Sequence, residues 1–300
     1  MTITQVEYLI NDSELAAAAH GALGAGDTAP VITSSEIRPV HNGFKAFARG
    51  DGFDVSEIAI VTILQAVAHD RPVLFLPLTA LGRYQHQTLI GIDGLSMADL
   101  PGKTVGVRSW SQTTGMWVRG ILTEQYGVDI RASKWRTYEG GHIDDQTDPA
   151  WVDHAEKGAR LADDLLSGRV DFAVMGNDRP DDSRVRSVIP HAKDAAAAWS
   201  REVGFIPVNH VFGVREGAAR ELSESICGVY DAIAELLRSR QAGRDEPFSE
   251  PFGFEALRPA VTAAARFAWE QELLPRKVDY DELVDRTSSV LGVAPSRLGG

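Results

Sequence analysis

The sequence predicts an α/β protein, and three observations carry that reading. Short β-branched runs alternate with longer helical patterns along most of the 300 residues, the 44% hydrophobic content suffices for a large core, and no repeat or low-complexity stretch interrupts the alternation. Length alone accommodates one large domain or two lobes. Strands are expected at residues 6–10, 31–33, 73–76, 88–92, 104–107, 170–175 and 209–214. Residues 55–69 are apolar on nearly every face and read as a buried helix, with Asp54 and Glu57 spaced as a capping box at its start. A polar, uncharged turn after 104–107 opens another helix. An amphipathic helix over 155–166 ends at Gly168, and 195–198 is a short helical run. Residues 243–251 form a turn-rich connection between two long closing helices, 221–240 and 254–274.

The formal charge of −12 argues against a nucleic-acid partner, whose phosphates are met by Lys and Arg, and equally against an anionic membrane surface. The single cysteine, Cys227, falls on the apolar face of a helix, which implies packing and excludes an intrachain disulfide. The first ten residues lack a basic, long-apolar, small-residue signal pattern, and no apolar run reaches the length of a membrane span, so a cytoplasmic protein is expected. G-A-L-G-A-G at 21–26 follows a helical run instead of a strand and fails the context for dinucleotide binding. P-loop, G-x-S-x-G and H-E-x-x-H motifs are absent from the sequence. The stretch from His142 to His154 is rich in acids and imidazoles but matches no ligand spacing, so it reads as a solvated loop and no metal is expected.

Candidate chemistry gathers first at Ser109, Trp110, Ser111, Gln112, Thr113 and Thr114. Free N–H groups at a helix start, at the positive end of the macrodipole, can receive an anion, and the same hydroxyls can equally serve as helix caps. Trp110 could stack on a ring or simply pack, like Trp117, while Arg119 on another helix face reads as a structural ion-pair partner. Glu57 is either a cap or a carboxylate acting as acid, base or acceptor. His86, after Arg83 and Tyr84, and His210, beside Asn209 on a strand where Val211 faces the other way, are each either satisfied structural histidines or proton-transfer groups.

Several blocks then point to a known family. D-L-P-G-K-T-V-G-V (99–107) resembles the strand opening the second lobe of type II periplasmic-binding-protein folds, and L-L-S-G-R-V-D-F-A-V (165–174) is shared at the same breadth. S-Q-T-T-G-M-W-V-R-G (111–120), followed by G-F-I-P-V-N-H-V (204–211), resembles more narrowly the 4,5-dihydroxyphthalate decarboxylase group. F-D-V-S-E-I (53–58), the His86 segment and F-A-W-E-Q-E-L-L-P-R (267–276) match in the same order, so the resemblance covers residues 44 to 286.

The resemblance implies a two-lobed fold with a ligand cleft between lobes, residues 1–92 and 211–300 forming one lobe and 93–210 the other. It implies a decarboxylase of a hydroxylated aromatic acid working without metal or organic cofactor. Glu57 or His210 would polarise the ring hydroxyl, His86 would protonate the ring, and Arg83, Ser109 to Thr114 and Asn209 would hold the substrate. The partner is then a small aromatic carboxylate, and the sequence is compatible with a homo-oligomer. A non-catalytic solute-binding protein or sensor, or another lyase or hydrolase on the scaffold, is the alternative. The chain departs from the family where related decarboxylases carry arginines around the histidine: Gly82 and Gln85 stand there, leaving Arg83 as the segment's cation. A monocarboxylate is therefore expected to be preferred over a dicarboxylate.

Overall fold

The computed structural model describes residues 3–25 and 30–300; Gly26, the end of the glycine run at 21–26, lies outside the described residues. In chain order the elements are β1 (Gln5–Leu9), α1 (Ser13–Leu23), β2 (Val31–Ser34), α2 (Phe44–Ala48), β3 (Val55–Ala59), α3 (Ile60–Ala68) and β4 (Val73–Gly82). Next come β5 (Leu89–Ile92), β6 (Thr104–Val107), α4 (Thr113–Tyr126), β7 (Lys134–Thr137), β8 (Val152–His154), α5 (Leu161–Leu166), β9 (Phe172–Val174), β10 (Val185–Ser187) and α6 (Ala192–Val203). The chain closes with β11 (Val208–Arg215), α7 (Glu216–Glu221), α8 (Ser223–Gln241), α9 (Phe254–Glu270) and α10 (Tyr280–Leu291).

Two sheets organise these elements. The first has the order β2-β1-β3-β11-β4, with β1 parallel to β2 and β3, and β11 antiparallel to β3 and β4. The second has the order β10-β5-β9-β6-β7-β8, parallel from β9 to β8 and antiparallel at β5 and β10. The chain leaves the first sheet after Gly82 and enters the second at Leu89, so Leu89–Ile92, assigned from the sequence to the end of the first lobe, pairs in the second sheet. It returns at Val208. The two crossings touch, because the Arg83 amide donates to the Pro207 carbonyl at 3.0 Å.

The expected helix at 55–69 is a strand followed by a helix. β3 is paired on both sides and all five of its residues are buried, and a short strand buried on both faces shows the same unbroken apolar run as a buried helix. The capping box is accordingly not formed. The Asp54 carboxylate instead accepts from the Glu7 amide at 3.0 Å and pairs with Arg215. The expected 155–166 helix begins only at Leu161, after Gly158 turns the chain with φ +88°, and 221–240 divides at Leu222 into α7 and α8. Cys227 is buried in α8, as its apolar helix face implies. No helix among the described residues is long and apolar enough to cross a membrane.

α9 connects the two halves. Phe267 packs edge-on against Trp117 of α4 with ring centroids 5.7 Å apart, and the Trp117 indole donates to the Val208 carbonyl at 2.9 Å. Gly120 lets α4 come this close: a Cβ there would overlap the Phe267 ring. Gly120→Ala is expected to lower stability by about 1–3 kcal/mol through overpacking, read as a lower urea midpoint with an unchanged slope, despite alanine's better helix propensity.

Candidate functional site

Strand ends from both sheets converge on one cavity of about 340 Å³. The second sheet supplies Arg108, Ser109 and Ser111 after β6, Gln112 to Thr114 at the start of α4, His142 after β7, and Gly176 to Asp178 after β9. The first supplies Ala59 and Thr62 at the β3–α3 junction, Leu81 at the end of β4 and Arg83 just after it, Asn209 and His210 on β11, and the segment containing His41 and Phe44. This is where open α/β sheets place their ligands, at the carboxyl ends of strands. Two helix N-termini meet here. Neither Ala59 nor Gln112, the residues preceding α3 and α4, caps its helix with a side-chain hydrogen bond, so first-turn N–H groups remain available to an anion. The Val61 amide of α3 reaches the Thr113 hydroxyl at 3.5 Å, tying one helix start to the other.

His210 faces the cavity from a stretch of β11 whose register against β4 is irregular from Val208 to Phe212, a local break that re-aims the side chain. Its Nδ1 lies 2.6 Å from Glu57 Oε1, and Glu57 Oε2 accepts from the Asn11 amide at 2.8 Å. Because a carboxylate only accepts, Nδ1 carries a proton and Nε2 is left for the cavity. Glu57 is buried behind the imidazole and does not line the cavity. Its place in the arrangement is to fix the orientation of the His210 ring.

The remaining lining carries two arginines and the Asp178 carboxylate. Arg83 donates to Asn177 Oδ1 at 3.2 Å and to Thr114 Oγ1 at 3.5 Å; its buried Nε has no partner, and no carboxylate among the described residues pairs with it. Burial pushes its pKa down, although a guanidinium remains charged. A Cβ on Gly176 would stand 2.8 Å from the Arg83 guanidinium, so a glycine is needed for that approach. Arg108 donates to His41 Nε2 at 3.3 Å and lies 3.7 Å from the largely exposed Glu139 carboxylate. His142 Nδ1 is 2.8 Å from the Thr62 hydroxyl. Burial first, and then the nearby Arg108, lowers the pKa of His142 to about 4, and the same two causes lower that of His41.

The structure brings together His210, Arg83, Ser109, Ser111, Gln112, Thr113, Thr114 and Asn209 of the expected residues. It does not bring His86. That ring sits in the short 3₁₀ turn His86–Thr88, is buried, and bonds Gln125 Oε1 at 2.7 Å on the last turn of α4. At 1.5 Å rise per residue, Gln125 is about 18 Å from the helix start that faces the cavity. Arg83, three residues earlier, reaches the cleft, whereas the turn packs His86 against Tyr126 and Trp199.

Trp110 is also withdrawn. It is fully buried, donates to the Gln271 carbonyl at 2.9 Å and packs against Trp135 and Trp151, so it offers no aromatic wall. Arg119 is not an ion-pair partner: its Nε donates to Gln271 Oε1 at 2.7 Å, and its guanidinium lies 3.6 Å from the Trp110 ring centroid.

The expected preference for a monocarboxylate loses its premise, because Arg108 supplies a second cation from the other lobe. Gly82 could not carry an arginine here, since a Cβ would overlap the Ser249 carbonyl. His142, read as part of a solvated loop, is a cavity residue. The sequence signal for Arg108 was its position immediately after an expected strand; His41 and His142 carried no local signal.

Unfolded, the His142 ring takes up a proton near pH 6.5; folded, it does so near pH 4. The unfolded chain therefore binds more protons between these values, and stability present above pH 6.5 is lost as pH falls toward 4. His41 and His86 act in the same direction. In urea titrations, His142→Asn is expected to lose about 3 kcal/mol less than wild type over this window.

No protein-family model matches the chain. It is 26% identical over 202 residues to a 4,5-dihydroxyphthalate decarboxylase from Comamonas testosteroni, covering 59% of this chain and 58% of that protein's length. It is 27% identical over 184 residues to one from Pseudomonas putida, covering 54% of this chain and 68% of the relative. Among solved structures, the periplasmic aliphatic sulphonate-binding protein SsuA from Escherichia coli superposes with a TM-score of 0.58 at 14% identity, over 97% of this chain and 99% of that one. The alkanesulfonate-binding protein SsuA from Xanthomonas axonopodis pv. citri, bound to MOPS, gives 0.54 at 14% identity over 94% and 98%. The fold is thus that of the type II periplasmic binding proteins, and in sequence the chain is similar to 4,5-dihydroxyphthalate decarboxylases.

Proposed function

We propose that the protein decarboxylates a hydroxylated aromatic acid bearing two acidic groups, with His210 as the proton donor to the ring. The observation that carries this is the carboxylate-backed imidazole opening onto a cavity with two arginines from opposite lobes. Anion capture alone has no use for a Glu57–His210 pair 2.6 Å apart, whereas proton delivery does. Arg83 with the start of α4 would hold one acidic group and Arg108 another, each through charge-assisted hydrogen bonds. The sequence similarity to 4,5-dihydroxyphthalate decarboxylases supports the same substrate class.

The atoms balance simply. His210 Nε2 gives its proton to the ring carbon bearing the carboxylate, while electrons flow in from the hydroxyl oxygen. The bond to the carboxylate then breaks, its electron pair restores aromaticity, and CO₂ leaves. His210 regains a proton from solvent. The hydroxylated ring serves as its own electron sink, so the reading needs neither metal nor organic cofactor. Lobe closure would exclude water and strengthen every contact to the developing charge.

The test is CO₂ release from a panel of hydroxylated benzoates and phthalates, with and without chelator. Release is expected from a dihydroxyphthalate-type diacid and is expected to survive chelation. His210→Asn should lower kcat by about 10²- to 10⁴-fold with little change in ligand affinity, and Glu57→Gln should follow it part of the way. Arg83→Ala or Arg108→Ala should each lower kcat/KM about 10- to 100-fold, chiefly through KM. Tight binding of the diacids with no CO₂ from any of them would leave the solute-binding alternative standing.

A further inference from the structure

Phe44 stands between two imidazoles of the cavity, edge-to-face with His210 at 5.2 Å and with His142 at 5.8 Å between ring centroids. The two rings are backed differently. A carboxylate lies behind His210, while a neutral hydroxyl, that of Thr62, lies behind His142. A paired set of titratable groups in contrasting environments is the arrangement that separates an acid from a base.

The remaining lining narrows the choice of base. Arg83, Arg108 and the helix N–H groups only donate, and the Asp178 carboxylate, also on the lining, accepts from the Gly176 amide at 3.0 Å. His41 Nε2 accepts from Arg108, and the lone pair on that ring is thereby used. His210 keeps Nδ1 protonated toward Glu57 and, as proton donor, holds another proton on Nε2. We propose that His142, with Nδ1–H donating to Thr62 Oγ1, turns the lone pair of Nε2 into the cavity and accepts the proton of the substrate's ring hydroxyl. This rests on the decarboxylase reading and assigns its missing base, with Thr62 as the positioning residue that selects the tautomer.

The groups around His142 that carry or can take up positive charge are Arg108, Lys45, His41 and His210, and they join burial in keeping the ring neutral and able to accept. A bound dianion would reverse part of that field, so the ring becomes a stronger base once substrate is in place. During turnover the hydroxyl proton passes to His142 Nε2 as oxygen electrons enter the ring and His210 protonates carbon. After CO₂ departs, His142 returns the proton to oxygen. The net reaction consumes one solvent proton, taken up through His210.

The experiment pairs each hydroxylated aromatic acid with its O-methyl ether and measures binding by calorimetry, alongside CO₂ release. Wild type is expected to bind the hydroxyl compound about 10- to 100-fold more tightly than the ether. His142→Phe should bind the two alike and should lower kcat on the hydroxyl compound at least about 100-fold. Thr62→Val should lose part of the discrimination. ¹⁵N NMR of the histidine rings should find His142 protonated at Nδ1 in wild type, a readout independent of turnover.

Absence of CO₂ release with discrimination intact would count against the decarboxylase reading while keeping His142 as hydroxyl acceptor. Discrimination that survives His142→Phe, or that is abolished instead by Asp178→Asn, would overturn the assignment. So would an Nε2-protonated His142.

Discussion

The geometry of the cleft depends on a buried guanidinium without a carboxylate partner. Arg119 is entirely enclosed, stacked on Trp110, and bonded to Gln271 Oε1 and to the Trp110 carbonyl. Gln271, just after α9, also donates to the Met116 carbonyl at 3.0 Å and accepts from the Trp110 indole through its own carbonyl. Three residues between 110 and 119 and one distant in sequence, Gln271, thus close one network around the first turns of α4. Burial drives the Arg119 pKa well down, and several hydrogen bonds with a cation–π contact offset that desolvation. Arg119 Nη1 alone of its nitrogens finds no partner, and the bonds that Nε and Nη2 do make tie α4 to Gln271 and to the Trp110 carbonyl, with the helix N-terminus toward the cavity.

Around that fixed helix start the cleft gathers donors. Arginines and donor groups line the cavity together with the Asp178 carboxylate, while Glu57 is kept behind His210 and off the lining. An anion entering therefore meets donors first and finds the acid–base groups already oriented. The two crossings between the sheets run beside this site, joined by the Arg83–Pro207 backbone bond and by the side chains of Gln85 and Asn209. Arg83 stands on the first of these crossings, and Arg108 follows β6 of the second sheet.

Much of the fold was legible. The strands at 104–107 and near 5–9, 31–34 and 209–214 stand within a residue or two of their expected positions, since alternation of β-branched residues is a local property. The β3–α3 region was not, because burial on every side removes the periodicity that distinguishes a strand from a helix. At the site, the helix start from Ser111 to Thr114, Arg83 and His210 were legible from local pattern and family resemblance. His86 was misplaced by them. A histidine in a motif is a statement about sequence neighbourhood, and three residues of chain suffice to part Arg83, at the start of α4, from His86, at its end.

By itself the sequence determined the α/β class, the polar helix start after β6, the anion-favouring chemistry of that turn and the presence of a histidine on β11. Those properties depend on residues close together in the chain. Only the tertiary structure decided that Arg108 joins Arg83, that Glu57 stands behind His210, and that His142 is a cavity residue. Each of these is a contact between segments tens to more than a hundred residues apart. Side-chain direction at such contacts is set by sheet order, strand register and what each neighbour can accept or donate, and none of these is encoded in the local pattern around any one residue.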